Sequence, residues 1–418
     1  MIGCRSSICV HVRPLFHRSE RREQHILRFA QDDNGAAPAL SSAVPFSRPD
    51  FNSPELASAP DARFVAAPAD GVLPDGFFST TNLPTYVRIK GEWRLPREPR
   101  MDSALVLDRD GSLWVKEGRR LRKGDLVAVG AAEDGTEGIF VQTDLIGADT
   151  GDEFKFMTSE VSREKPIDYA VMAQLLVDER ERGGYPIWVT GPALVHSRAR
   201  NDMSWFIANG FVGALLAGNA VAVHDIEASI FGTTLGMTRT GEATSGGHGL
   251  HMRAINQVRA AGSIANAVRQ GIIKDGIMFS CVTHNVPFVL TGSIRDDGPL
   301  PDVITDSIAG QDAMKRHTTQ ATMAILIATA LHAIATGNML PAFVTEPNGT
   351  MRELPTICVD SSEFVVSKLK DRGTHQAFGV VTNAQDFMHI LRLYVERELD
   401  ARGLQSAPAT DSTVVGAR

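Results

Sequence analysis

Residues able to do chemistry cluster just behind short apolar runs. The run Ile187-Trp188-Val189-Thr190 ends in Gly191-Pro192, where a glycine lets backbone approach a phosphate or a ring and a following helix start favours an anion. This is no GxGxxG fingerprint, because Ala193, Val195 and His196 stand where further glycines belong, and an ordinary turn has the same spelling. Two other runs end in acids, Val223-His224-Asp225 and Cys358-Val359-Asp360. A carboxylate there suits ribose hydroxyls, and equally a helix N-cap. The segment Leu290 to Asp302 is denser: behind an apolar approach it packs Gly and Pro turn formers, Arg295 and the carboxylates Asp296, Asp297 and Asp302. It reads as a site loop, with one of those three acids as a base or ligand partner. Thr329-Ala330-Leu331-His332, followed by Thr336-Gly337-Asn338, is a further polar cluster, although a histidine on an apolar helix face reads first as a core residue. His248 and His251 lack a cysteine or carboxylate framework, so no metal is expected, and Cys281 reads as a buried thiol.

Strands must aim these groups. From Pro186 the rhythm is apolar run, loop, helix, repeated: Pro186–Thr190, a helix Met203–Asn209 stopped by Gly210, Ala220–Val223, Phe288–Leu290, Ala324–Ala328, Thr356–Val359 and Gly379–Val381. That alternation predicts an α/β fold with a parallel, doubly wound sheet and ligands at the carboxyl ends of its strands. A helix is expected over Ala170–Glu181, ended by Gly183-Gly184. Upstream, the runs Tyr86–Ile89, Ala104–Leu107 and Leu126–Val129, separated by Gly and Asp turns, predict a small β-rich unit. Four segments are expected: a tail over 1–60, a small β-rich subdomain over 61–160, the sheet domain over 161–400 and a second tail over 401–418. The first tail is basic and then Ala/Ser/Pro-rich, reading as disorder or a mis-assigned start, while its Glu and Asp residues oppose a transit peptide.

Composition narrows the function. The 42 basic and 49 acidic residues give a net charge of −7, with a basic excess only in the first stretch, which argues against nucleic acid. No apolar run reaches membrane-spanning length; the nearest, Met323–Ile334, is broken by Thr329 and His332. Four cysteines without a framework fit reduced thiols in the cytoplasm.

Phe77-Phe78-Ser79-Thr80-Thr81-Asn82-Leu83-Pro84-Thr85, GGHGLHMRAIN from Gly246, NVPFVLTGSIRDDGPLPDV from Asn285 and LHAIATGN from Leu331 together resemble one family. It is the NAD-dependent, archaeal-type ornithine cyclodeaminases, also found as the C-terminal half of bifunctional arginine dihydrolase/ornithine cyclodeaminases. Its members were long labelled a lysine-oxoglutarate reductase/saccharopine dehydrogenase region. The resemblance runs from Asp61 to Glu398 and implies a Rossmann-like NAD domain, similar to that of deoxyhypusine synthase, behind the β-rich subdomain. It implies NAD contacts at Asn219, Ala220, Asp297, Thr329, Ala330, Leu331, His332, Asp360, Asn383 and Ala384. Ser79, Thr80, Thr81 and Asn82 would cap a small amino-acid substrate, and the assembly would be a homo-oligomer. The family usually has Met at position 330 and Asp-Val at 383–384. It also has a folded segment, beginning in a Gly/His-rich strand, ahead of Ser79, for which this sequence shows no counterpart.

The implied reaction turns L-ornithine into L-proline and ammonia. The α-amine cannot be displaced directly, so NAD takes a hydride from the α-carbon, the δ-amine attacks the imine, ammonia leaves and the hydride returns. The protein must exclude water and hold a carboxylate to bind or deprotonate an ammonium. Asp297 or Asp296 is the expected catalytic group, ahead of Asp225. A stoichiometric NAD-dependent amino-acid dehydrogenase and a non-catalytic NAD-binding protein are the alternatives.

Overall fold

The computed structural model describes residues 45–145, 167–196, 198–238, 241–244, 246–296, 298–372 and 377–405. Two small antiparallel sheets build the first lobe. One has the order β1 (Arg63–Ala66), β6 (Leu126–Val129), β4 (Ala104–Leu107), β5 (Leu113–Lys116); the other has the order β3 (Glu92–Arg94), β2 (Thr85–Ile89), β7 (Ile139–Val141). Alternate residues of both sheets, among them Val87, Leu105, Val115, Ala128 and Ile139, meet in one buried cluster, as period-two patterning requires.

The expected boundary at residue 60 falls inside folded chain. Phe51 stacks on Trp93 at 5.8 Å and meets Tyr86 edge-on at 5.0 Å. Trp93 Nε1 donates to the carbonyl of Leu56 at 3.1 Å in a short helix, Pro54–Ala57. Two aromatic partners for Phe51 outweigh the spacer-like composition around it. Residues 1–44 lie outside the described part, as do 146–166 and 406–418.

The second lobe is a seven-stranded, wholly parallel sheet. Its strands are β8 (Pro186–Thr190), β9 (Ala214–Gly218), β12 (Phe288–Thr291), β13 (Val303–Ile304), β14 (Met323–Ile327), β17 (Thr356–Asp360) and β18 (Ala377–Val381), in the order β13-β12-β9-β8-β14-β17-β18. Two hairpins, β10–β11 (Thr233–Thr234, Met237–Thr238) and β15–β16 (Phe343–Thr345, Met351–Glu353), lie outside it. The chain moves outward in one direction from β8 and then in the other from β14, so the order reverses between these two neighbours. Trp188, Leu215, Ile325 and Ile357 face one set of helices, while Ile187, Val189, Leu216 and Leu326 face the other. Burial on both faces explains why these strands read as continuous apolar runs.

One expected strand is a helix. Ala220–Val223 lies in the helix Asn219–Phe231, and the strand is its upstream neighbour Ala214–Gly218. Val221, Ala222, Val223 and Ile226 are all buried between the sheet and neighbouring helices, so the segment is apolar all round and carries no helical stripe. Gly218, extended at φ −95° and ψ 168°, marks the change from strand to helix. The helices Tyr169–Glu181 and Arg200–Ala208 stand where patterning put them, stopped by the left-handed glycines Gly183 and Gly210.

Candidate active site

Strand order reverses between β8 and β14, and in open parallel sheets of this kind the crevice beyond the carboxyl ends at such a reversal is where ligands bind. The turn after β8 is tied across it, since Gly191 N–H donates to Ile327 O at 2.9 Å. A Cβ on Gly191 would lie 1.8 Å from the carbonyl oxygen of Ala328, so this glycine permits two backbones to touch. Close strand-end packing therefore accounts for it without a phosphate. Gly191→Ala is expected to cost about 3 kcal/mol of stability, read as a lowered melting temperature. Ala328 itself takes the left-handed φ of 54°, which swings the chain from β14 into the helix Ala330–Met339.

That helix brings His332 into a network. Its Nε2 lies 2.8 Å from Thr291 Oγ1 at the end of β12, and its Nδ1 lies 3.3 Å from Thr329 Oγ1. Its carbonyl accepts from Thr336 Oγ1 at 2.8 Å. Gly218 makes room for the ring, whose Cε1 would be 3.0 Å from a Cβ there. Burial pushes the imidazole pKa below its usual value and the nearby Asp296 pulls it partly back, leaving a neutral ring at neutral pH.

Asp296 is the second anchor. Its Oδ2 accepts from Ser293 N at 2.7 Å and its Oδ1 from Asn219 Nδ2 at 3.2 Å. Asn219 in turn accepts from Leu300 N at 3.2 Å, so one amide and one carboxylate join the loop after β12 to the start of the Asn219–Phe231 helix. Asn219, Ala220, Asp296, Thr329, Ala330, Leu331 and His332 thus share one end of the sheet. Asp297 lies outside the described residues. Leu331, 73% exposed, and Ile294, fully exposed, give this rim two apolar side chains.

Other expected site residues have local duties. Asp302 accepts from Ile264 N at 2.8 Å, tying the start of the helix Ile264–Arg269. Asp360, at the end of β17, accepts from Ser362 N at 2.9 Å through Oδ1 in a tight turn. Asn383 caps the helix Ala384–Ala401, accepting from Asp386 N and donating to Asp386 Oδ2, and Ala384 is buried beneath it. Asp225 is wholly buried and away from the crevice: it pairs with Arg200 Nε at 2.5 Å and accepts from Ile277 N and Met278 N at 2.9 and 2.8 Å. Its expected strand-end position disappears with the expected strand. Cys281 is buried, which pushes its thiol pKa up, away from nucleophilic use.

The Ser79–Asn82 motif is not brought to this crevice. Thr80 Oγ1 is buried and donates to the carbonyls of Arg100 and Ser103 at 2.7 and 3.2 Å, and the Asn82 carbonyl accepts from Ala342 N at 2.9 Å. Ala342 follows the far end of the helix that begins beside His332, about 15 Å away at the usual helical rise.

NAD needs polar partners for its sugars and phosphates and an apolar wall for its rings. Thr190 is fully buried at the end of β8, and its hydroxyl has no hydrogen-bond partner. An unpaired hydroxyl at the reversal point, a neutral histidine and an amide–carboxylate pair beside an apolar rim are the mixture of polar and apolar groups that suits such a ligand. The residues fit. Among the described residues no cluster of three metal-ligating side chains occurs.

The chain matches two family descriptions, "Arginine dihydrolase ArgZ-like, C-terminal, first region" over residues 84–171 and "Arginine dihydrolase ArgZ-like, C-terminal, Rossmann fold" over residues 170–391. It is 44% identical over 345 residues to an ornithine cyclodeaminase of Methanopyrus kandleri, spanning 81% of this chain and 80% of that protein. The crystal structure of a conserved putative LOR/SDH protein from Methanococcus maripaludis superposes with a TM-score of 0.74 at 40% identity, covering 81% of this chain and 99% of that one. A ternary complex of AgrE with ornithine and NAD+ superposes at 0.51 and 35% identity, covering 82% of this chain and 47% of AgrE.

Proposed function

The chain belongs to the ornithine cyclodeaminase family, and from that premise we propose that it converts L-ornithine to L-proline and ammonia with bound NAD. The observation that carries this is the 44% identity to an ornithine cyclodeaminase across four-fifths of both chains, the sheet crevice included. NAD, when bound, supplies the acceptor for a hydride from the substrate's α-carbon and returns it after ring closure, so it is not consumed.

The chain's own residues hold and shield. Asn219, Ala220, Thr329, Ala330, Leu331, His332 and Asp360, with backbone at Asn383 and Ala384, are assigned to the cofactor. Asp296 stands in the acidic loop after β12, where a carboxylate attracts a substrate ammonium. Asp296 fixes the loop by its bonds to Ser293 and Asn219, which leaves Asp297 as the group for the substrate. Leu331 and Ile294 give the rim an apolar surface that disfavours water near a hydrolysable imine. The distance of Ser79, Thr81 and Asn82 from His332 supports a homo-oligomer in which these residues reach a neighbouring copy's crevice. No described helix is long and apolar enough to cross a membrane, and the reduced, buried Cys281 and Cys358 fit a role in cytoplasmic proline synthesis.

Purified protein given excess ornithine and a trace of NAD is expected to release proline and ammonia in equal amounts without net NADH. Stoichiometric NADH would instead mark a dehydrogenase. NAD binding with neither product would mark a binding protein.

A further inference from the structure

A row of titratable side chains stands in the helix layer on the other face of the sheet from the helix that carries His332. The rings of His196 and His224 lie 4.5 Å apart, centroid to centroid. His224 Nδ1 is 3.7 Å from Glu227 Oε2, too long for a hydrogen bond, and that buried nitrogen has no hydrogen-bond partner. Glu227 is fully buried and accepts from Thr233 Oγ1 at 2.9 Å, Leu235 N at 3.0 Å and Gly236 N at 2.8 Å. Burial opposes its charge, but His224 and these three donors prevail and hold its carboxyl below the usual range. A buried anion thus sits behind two imidazoles, the outer of which, His196, reaches solvent.

Its place in the fold gives the row a use. His196 ends the short helix Ala193–His196 that follows Gly191, directly beyond the strand ends where the sheet order reverses. Leu194 and Val195 of that helix pack with the Asn219–Phe231 helix on one face of the sheet, whereas Ala333, next to His332, packs on the other. Carboxylates such as those of the acidic loop hold an ammonium but are weak bases, while an imidazole is matched to proton transfer near neutral pH.

We propose that His196 accepts the proton from an ammonium group of the substrate in the crevice, with His224 and Glu227 as positioning residues behind it. This rests on the ornithine reading, in which both the α-nitrogen and the attacking δ-nitrogen must be neutral amines. An ammonium N–H bond breaks and its electron pair stays on nitrogen. A ring N–H forms on His196, and the new positive charge is stabilised by Glu227 and later lost as a proton to solvent. Partial burial and His224 hold the His196 pKa below its usual value and Glu227 opposes them, so the ring is neutral and ready to accept. The helix Asn219–Phe231 faces His196 with His224 and Glu227, its Asp225 being paired with Arg200. On the Ala384–Ala401 helix, also packed against this turn, Asp386 is bound by Asn383 and His389 lies 3.8 Å from Asp202.

The test is kcat/KM for proline formation across pH, with NAD-loaded full-length protein. His196→Gln is expected to lower it about a hundredfold and to remove the acid limb, with NAD affinity unchanged. Activity requires neutral His196, so Glu227→Gln, which removes a charge that favours the imidazolium, moves the acid limb to lower pH. His224→Gln, which removes the neighbouring ring that lowers the His196 pKa, moves it to higher pH. Opposite shifts are not expected of a merely structural pair. His196 is exposed, so its variant folds even if the Glu227 variant does not. Wild-type kcat/KM and an unmoved acid limb in His196→Gln would overturn the assignment. Absence of proline from the wild-type protein would sink the ornithine reading itself, and this role with it.

Discussion

Replacing Asp296 with alanine is expected to weaken NAD binding about a hundredfold and to bring proline formation close to background. One carboxylate there holds Ser293 N and Asn219 Nδ2, and Asn219 holds Leu300 N, so both ends of the loop and a helix start depend on it. Hydrogen bonds to a charged group contribute about 1.5–3 kcal/mol each. Losing the better part of two gives about 3 kcal/mol, or two decades of affinity. Quenching of protein fluorescence on NAD titration measures the first effect directly. Asp297→Ala is the companion experiment, because it leaves these bonds in place. It is expected to lose about a hundredfold in kcat/KM for ornithine, and its NAD affinity reports whether Asp297 also contacts the cofactor, as the family resemblance implies. A normal proline rate in that variant would remove Asp297 as the carboxylate facing the substrate.

The sheet was legible wherever a strand is buried on both faces and closed by a turn residue. Pro186–Thr190, Phe288–Thr291, Met323–Ile327 and Thr356–Asp360 each run apolar into Gly, Ser, Thr or Asp. The reading failed between Ala214 and Val223, where one apolar run spans a strand and a buried helix and neither period shows. A weak signal existed in Gly218-Asn219, a small residue followed by a polar one in the middle of that run. His332 was discounted for lying on an apolar helix, and the structure shows why composition misleads here. Its partner Thr329 is the local N-cap of the same helix, but Thr291 is 41 positions away and only folding brings it within 2.8 Å. Arg200 and the His196–His224 pair left no local pattern either, because their partners lie on other elements. The same folding moved Ser79–Asn82 away from the crevice, a separation invisible to a motif read as a string.

Asp225→Ala is expected to destabilise the protein by about 3–5 kcal/mol, the usual result of removing one partner of a buried ion pair. Asp225 has no exposed surface, and Arg200 approaches it through Nε at 2.5 Å while also reaching Asp275 at 2.5 Å. The same carboxylate accepts from Ile277 N and Met278 N, two of the unpaired donors at the start of the helix Ile277–Thr283. Alanine would strand a guanidinium and two backbone N–H groups together. For a domain of this size, that loss lowers the melting temperature by about 10 °C. Asp225→Leu combined with Arg200→Met should recover part of the loss, because it removes the stranded guanidinium while Ile277 N and Met278 N stay without their carboxylate acceptor. Calorimetry on the two single variants and the double one gives the coupling energy. Unchanged melting with abolished turnover in Asp225→Ala would contradict the structural role and return this carboxylate to the chemistry. A large fall in melting temperature that the double variant partly reverses, with turnover per folded molecule preserved, would fix Asp225 as a clamp between three helices on one face of the sheet.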